Sequence, residues 1–262
     1  MVLLTGKSLI DEALNGEMTK DQAIIDLQQL SFAWPKQSQP ALKIDAFRLN
    51  AGERLFVYGP SGCGKSTLLS LLAGVVVPQT GHIAIAGQQI EGLSAAKRDH
   101  FRADHIGLVF QQFNLLPYLN VLDNVTLACD FSRKRAANLK RSGVSALDEA
   151  KRLLSRLLLP EALWTQSVMN LSIGQQQRVA VARALIGSPD LIIADEPTSA
   201  LDRDSRDQFL QLLMAETEQS GSSLVFVSHD DSLKAHFDRH LHLPSLNQAL
   251  SADVTAQQEA NQ

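Results

Sequence analysis

Apolar positions along the chain fall into short blocks at a period of two, set between longer stretches spaced as on a helix. Leu42, Ile44, Ala46 and Arg48 alternate against Lys43, Asp45 and Phe47, which predicts a half-buried strand over 42–48. Further strands are predicted at 54–58, 82–86, 106–110, 190–194 and 223–228. The last three are short apolar runs ending at turn or polar residues, the pattern of parallel strands buried on both faces. Strand-like order begins near Ile24-Ile25-Asp26-Leu27. Helical spacing covers 65–73, 94–102, 146–158, 173–186 and 205–218. Gly74 and Gly187 are placed as helix C-terminal glycines, with Pro78 and Pro189 beyond them.

Strands alternating with helices predict an α/β core, and the mainly helical stretch from about 95 to 180 predicts a helical subdomain inserted into it. Residues 1–25 are polar and weakly patterned and read as an N-terminal extension. Met18 is an alternative native start, because folded-domain patterning begins just after it. A single domain is expected over 26–243, followed by a polar tail over 244–262 whose end, from Ser251 to Gln262, is frayed. There is no internal repeat, so one catalytic unit is expected per chain.

Composition then removes several classes of function. The hydrophobic share of 45% and charged share of 20% in 262 residues are those of an ordinary globular protein. A net charge of −4 gives no basic field for nucleic acid. Arg133-Lys134-Arg135 with Lys140-Arg141 is a local patch, read as a solvated helix end or loop ahead of a phosphate-binding surface. Two cysteines, Cys63 and Cys129, make no disulfide framework and fit a reducing compartment. No apolar run reaches the ~20 residues that span a bilayer. Met1 to Leu4 lacks the basic and apolar regions of a signal peptide.

Gly59-Pro60-Ser61-Gly62-Cys63-Gly64-Lys65-Ser66-Thr67 follows the apolar strand Leu55 to Tyr58 and opens a helix at Lys65. This is a P-loop in the context it requires: glycines let backbone N–H groups curl round phosphate oxygens, and the helix N-terminus adds a favourable dipole. Lys65 is expected to reach the β- and γ-phosphates and Ser66 to ligate Mg²⁺. Leu191 to Ala194 is a buried strand delivering Asp195 and Glu196 at its C-terminal end, where α/β sheets place ligands. Asp195 is expected in the Mg²⁺ shell and Glu196 as the general base that polarises the attacking water. Ser172 with Gln175 forms a helix capping box, which by itself suffices to explain that segment.

Leu171-Ser172-Ile173-Gly174-Gln175-Gln176-Gln177-Arg178 also resembles the signature of the ABC (ATP-binding cassette) family, with Ile173 in place of the first signature glycine. P-loop, signature and Asp-Glu strand stand in the family's order. Ser199-Ala200-Leu201-Asp202 resembles the D-loop, and His229 after the strand Leu224 to Ser228 resembles the switch histidine. The resemblance covers 26–243. It implies a P-loop NTPase core of mainly parallel sheet, an inserted helical subdomain and an antiparallel N-terminal β part. It also implies roles for Gln111 as the Q-loop glutamine at Mg²⁺ and water, for Trp34 as the aromatic stacking on adenine, and for His229 at the γ-phosphate.

The family reading implies an ATP hydrolase using ATP and Mg²⁺. Two copies would meet head to tail, with Ser172, Ile173, Gly174 and Gln175 of one facing the ATP on the P-loop of the other, and Asp202 in the D-loop. The partner would be an integral-membrane permease on a separate chain, reached near Gln111 and the stretch Phe113 to Pro117, which places the subunit on the inner face of the cytoplasmic membrane. The run Ile106 to Pro117 looks most like the lipoprotein-release and macrolide-exporter branch. Amino-acid importer cassettes share much of this wording and remain an alternative. A soluble ABC ATPase acting on DNA or ribosomes is disfavoured, because there is no second cassette and no room for a long coiled-coil insertion between Lys65 and Ser172. Intact Glu196 and His229 stand against a module that binds nucleotide without hydrolysing it.

Overall fold

The computed structural model describes residues 22–199 and 201–250. Two sheets share the chain. Strands β1 (Ala23–Phe32), β2 (Leu42–Asn50), β4 (Thr80–Ile85) and β5 (Gln88–Gln89) form an antiparallel sheet in the order β2-β1-β4-β5. Strands β3 (Arg54–Tyr58), β6 (Ile106–Val109), β7 (Leu191–Asp195), β8 (Ser223–Val227) and β9 (Arg239–His242) form a parallel sheet in the order β6-β7-β8-β3-β9. The unbroken apolar runs of β7 and β8 are explained by cover on both faces. Leu55, Val57, Ile193, Val225 and Val227 join one core with helix α1 (Lys65–Leu72) and the inner face of the antiparallel sheet. Phe56, Ile192, Leu224 and Phe226 join a second core on the opposite face. There they meet α6 (Ile173–Leu185) and α7 (Arg203–Ser220).

The inserted helices are α2 (Ala95–His105), α3 (Val121–Phe131), α4 (Arg133–Arg141) and α5 (Ala146–Arg156), and α8 (Leu243–Leu246) follows β9. The expected helical stretch is interrupted by β6, which pairs with β7 inside the parallel sheet. Most expected elements appear with ends shifted by one to three residues, as for α7, which begins at Arg203 because Asp202 caps it. Among the described residues no helix is long and apolar enough to cross a membrane.

Three expectations are corrected. The alternation read for β2 holds at Leu42 and Ile44, then inverts: Ala46 and Arg48 are exposed while Leu49 is buried. Its partner β1 inverts with it, from buried Ile25 and Leu27 to buried Leu30 and Phe32, across Gln29 at a left-handed φ of 49°. The basic patch is not simply a solvated face either. Arg135 is fully buried in α4, donating to the carbonyls of Ala184 at 3.1 Å, Ile186 at 3.2 Å and Ile106 at 2.6 Å. Burial lowers its pKa to about 10. Finally, residues from 244 onward are not all tail. Asn247 is fully buried, accepting from Lys43 N at 2.9 Å and donating to Ala41 O at 3.1 Å and Cys63 O at 3.2 Å. The expectations for residues 1–21, Met18 included, and for 251–262 lie outside the described residues.

Candidate functional site

Between β3 and α1 the chain makes the loop Gly59 to Gly64. Gly59 (φ 152°), Gly62 (φ 82°) and Gly64 (φ 102°) hold backbone conformations that an L side chain rarely adopts. A Cβ at Gly59 would stand 2.8 Å from both Cys63 Sγ and Pro244 Cδ, so the loop is also closed from behind by α8. Helices α2 to α7 each carry a side-chain N-cap, from Ser94, Asn120, Ser132, Ser145, Ser172 and Asp202. Helix α1 starts from Gly64 with no capping side chain, so its first N–H groups face outward as anion donors. Lys65 is buried at the loop's centre, its Nζ donating to Gly59 O at 2.8 Å and Pro60 O at 3.0 Å. An ammonium has three donors, and these bonds aim the third. An uncapped helix end, a buried lysine and a backbone curled through positive-φ glycines fit a polyphosphate.

The loop opens into a cleft of about 760 Å³, within the range of small-molecule sites. Its walls include Trp34, Ser61, Gly62, Gly64, Lys65, Ser66 and Thr67 on the loop side, Glu196 and His229 opposite, and Ala249 with Leu250 at one end. Glu196 turns at a left-handed φ of 46°, with its N–H donating to Val227 O at 3.0 Å. A glutamate there stores on the order of 1–3 kcal/mol of strain, the kind of cost concentrated at working sites. The turn presents Glu196 Oε1 to His229 Nε2 at 2.7 Å. Burial raises the Asp195 carboxyl above its ordinary value and the Glu196 charge raises it further, against the pull of Lys65 and His229. Asp195 ends β7 and is not among the residues of the cleft wall, which Ser66 joins; both offer the hard oxygens that Mg²⁺ takes. Two protein oxygens match Mg²⁺, which takes its other ligands from phosphate and water.

Ser172 accepts from Gln175 N at 3.3 Å while Gln175 Oε1 accepts from Ser172 N at 2.9 Å, the expected capping box at the start of α6. Ile173 is 58% exposed, and Gly174 has room for a Cβ at 3.4 Å from Leu201. These residues do not line the cleft of their own chain. Asp202 caps α7, accepting from Ser205 N at 3.0 Å and Ser205 Oγ at 2.7 Å, and those bonds hold its carboxyl below the ordinary range. Gln111 follows β6 in an exposed turn and is not brought into the cleft wall. Trp34 is in the wall, its Nε1 donating to Thr67 Oγ1 at 3.2 Å.

Sequence reading did not single out several residues that hold this geometry. Gln177 of α6 donates to Pro197 O, tying the helix to the turn after Glu196. Arg183, at the last turn of α6, donates to Asn114 O at 2.7 Å and Phe113 O at 2.6 Å. It thereby fixes two successive left-handed residues, Phe113 (φ 57°) and Asn114 (φ 48°), just beyond Gln111. Gln177 and Arg183 sit within α6 and show no separate signal in the sequence, and Asn247 lies far along the chain from the loop it braces.

The family profile described as ABC transporter matches residues 42–199. An uncharacterized ABC transporter ATP-binding protein of Mycobacterium tuberculosis is 37% identical over 90% of this chain and 95% of its own length. The lipoprotein-releasing system ATP-binding protein LolD of Hydrogenovibrio crunogenus is 38% identical over 79% of this chain and 87% of its own. The fold is similar to that of the ATP-binding cassette MJ0796 of Methanocaldococcus jannaschii, solved as a dimer in a post-hydrolysis state with ADP and Pi. The TM-score is 0.72 at 34% identity, covering 84% of this chain and 95% of that one. With its P-loop, signature helix and carboxylate strand in the family's order, the chain belongs to the ABC transporter family as an ATP-binding ATPase subunit.

Proposed function

We propose that two copies of this chain close head to tail around two ATP molecules and that hydrolysis drives a separate membrane permease of the lipoprotein-release or macrolide-exporter type. The observation that carries the chemistry is the Glu196–His229 pair at 2.7 Å, facing Lys65 and Ser66 across one cleft. Lys65 and the open N-terminus of α1 hold the phosphates. Ser66 and Asp195 would hold Mg²⁺, which supplies charge neutralisation at the phosphate oxygens. Glu196 takes the proton from the attacking water, and His229 fixes the carboxylate orientation and contacts the γ-phosphate. Gln111 would join the water and metal site only with its turn moved inward from the exposed place it holds here. The capping box leaves the N–H groups of Ile173 and Gly174 unused at the positive end of α6, as donors to the ATP on the opposite copy.

Work leaves the cassette through a groove of about 470 Å³ between α2, α3 and the turn after β6, lined by Phe110, Asn114, Leu127 and Phe131. Phe131 is 70% exposed there, an apolar surface suited to a permease segment. The likeness to LolD supports the branch. Tagged Glu196→Gln chain, purified from native membranes with ATP, is expected to retain one multi-span polypeptide bearing a large extracytoplasmic domain. Phe131→Asp should release it. Retention of a permease that recruits an amino-acid-binding protein would move the chain to the importer branch, and no membrane polypeptide at all would remove the coupling.

A further inference from the structure

One wall of the cleft is built from the end of β1, and the strand ladder alone does not place it. Gln28 pairs with His82 on β4, but Ser31 pairs with Thr80, a register shift of one residue. Gln29 is left-handed at φ 49° and Gly81 lies at φ 86°. A Cβ on Gly81 would collide with the Gln29 carbonyl, so this bulge requires glycine. Bulges of this kind re-aim a strand beside a functional site. Beyond it β4 has ended, and Gln79 takes over as the neighbour of β1. Its backbone N–H donates to Ser31 O at 3.0 Å. Its side-chain amide accepts from Ala33 N at 2.8 Å and donates to Ala33 O at 2.8 Å. One amide thus reproduces the paired N–H and C=O of an antiparallel strand. The residue that follows is Trp34. Phe32 packs edge-on to its ring at 5.0 Å and 87°, and the indole N–H is tied to Thr67 on the P-loop helix.

We propose that Gln79 is the positioning residue for Trp34, holding the indole as a preformed platform for the purine base. This deepens, and rests on, the reading of the cleft as the ATP site. Trp34 is 36% exposed and stands at the start of a stretch without regular structure. Without the Ala33 clamp its backbone and rotamer would have to be ordered on each binding event, and preorganisation removes that cost from association. The effect belongs to the base, because the phosphates are held by Lys65 and the α1 terminus, which Gln79 does not touch.

The test compares the full chain with Gln79→Ala, using ATP, inorganic tripolyphosphate and acrylamide as probes. Acrylamide quenching reports on Trp34, since Trp164 is buried and donates to Leu159 O at 3.0 Å. Gln79→Ala is expected to raise quenching and weaken ATP binding about tenfold, with tripolyphosphate affinity and kcat at saturating ATP within about twofold. Unchanged ATP affinity would overturn the proposal. An equal loss for tripolyphosphate would also overturn it, because it would mark Gln79 as a support of the whole loop. Gln79→Glu keeps the size and the acceptor but sets a carboxylate against Ala33 O, so it must give the same pattern if the alanine variant folds poorly. Trp34→Ala is measured alongside. If it leaves ATP affinity unchanged, the stacking reading falls, whereas unchanged quenching in Gln79→Ala removes the clamp.

Discussion

Replacing Arg135 by methionine keeps an unbranched apolar stem but removes the guanidinium that joins α4 to α6 and β6. Three buried carbonyls, of Ile106, Ala184 and Ile186, lose their side-chain donor together. An unsatisfied buried acceptor costs about 1–3 kcal/mol. The full sum is not reached, because the charge itself is held at a cost: burial lowers the Arg135 pKa to about 10, and its Nε has no hydrogen-bond partner. Removing that desolvated charge returns part of the loss, leaving a net destabilisation of about 2–4 kcal/mol. For a domain of this size that lowers Tm by roughly 5–15 °C. Arg135 is not in the cleft wall, so ATP affinity of the folded fraction should stay within about twofold. Thermal melting and nucleotide titration on the same preparation provide both readouts. A Tm shift under about 2 °C would show that the carbonyls find other donors, and the assignment of Arg135 as a structural tie would be wrong.

The Asp190 carboxyl makes a pH prediction. Burial alone would raise it, but hydrogen bonds from His105 at 2.6 Å and Lys134 at 2.6 Å outweigh that and hold it below its ordinary 3.8. A depressed carboxyl contributes stability present above the unfolded value and lost as pH falls through the folded one. Asp190→Asn should therefore destabilise the fold near neutrality and progressively less as pH falls below about 3.8, read by urea melts across that range; an unchanged melt at neutral pH would refute it. At the start of α6, Ile173→Gly should lower Tm slightly, since glycine costs up to about 1 kcal/mol in a helix. On the proposed head-to-tail arrangement it should also raise the basal ATPase of the isolated chain, because there the exposed β-branched side chain would stand where the opposite copy's nucleotide approaches. Equal or slower hydrolysis by the folded variant would show that it does not obstruct.

The parts legible in the sequence were those whose chemistry is local. The P-loop needs glycines, lysine and serine at fixed spacing after a strand, and the structure delivers them as the spacing requires. Glu196 and His229 lie at the ends of two adjacent buried strands, and strand order brings them together. Their hydrogen bond follows from a left-handed turn at Glu196 that no residue type announces. Trp34 and Gln111 rested on family likeness, and the structure seats the first in the cleft and leaves the second in an exposed turn. The bounds of α3 and α4 went unread. Asn120 and Asp123 mark the start of α3 as a capped helix, but Arg133 to Arg141 is too charged to show an apolar stripe. The burial of Arg135 depends on carbonyls supplied by β6 and the end of α6, and the packing of Asn247 depends on backbone groups of Ala41, Lys43 and Cys63 far back along the chain. Such long-range polar ties leave no periodic trace.

If a second copy completes the site and Glu196 is the base, replacing that carboxylate must stop hydrolysis and leave the ATP-bound pair intact. Sedimentation of Glu196→Gln with ATP and Mg²⁺, paired with its turnover, reads both at once. Intact ATP binding, hydrolysis slowed about 10²–10⁴-fold, and a dimer more stable than that of the wild type are expected. Wild-type turnover in a variant that remains monomeric at saturating ATP would contradict both the base assignment and the shared site.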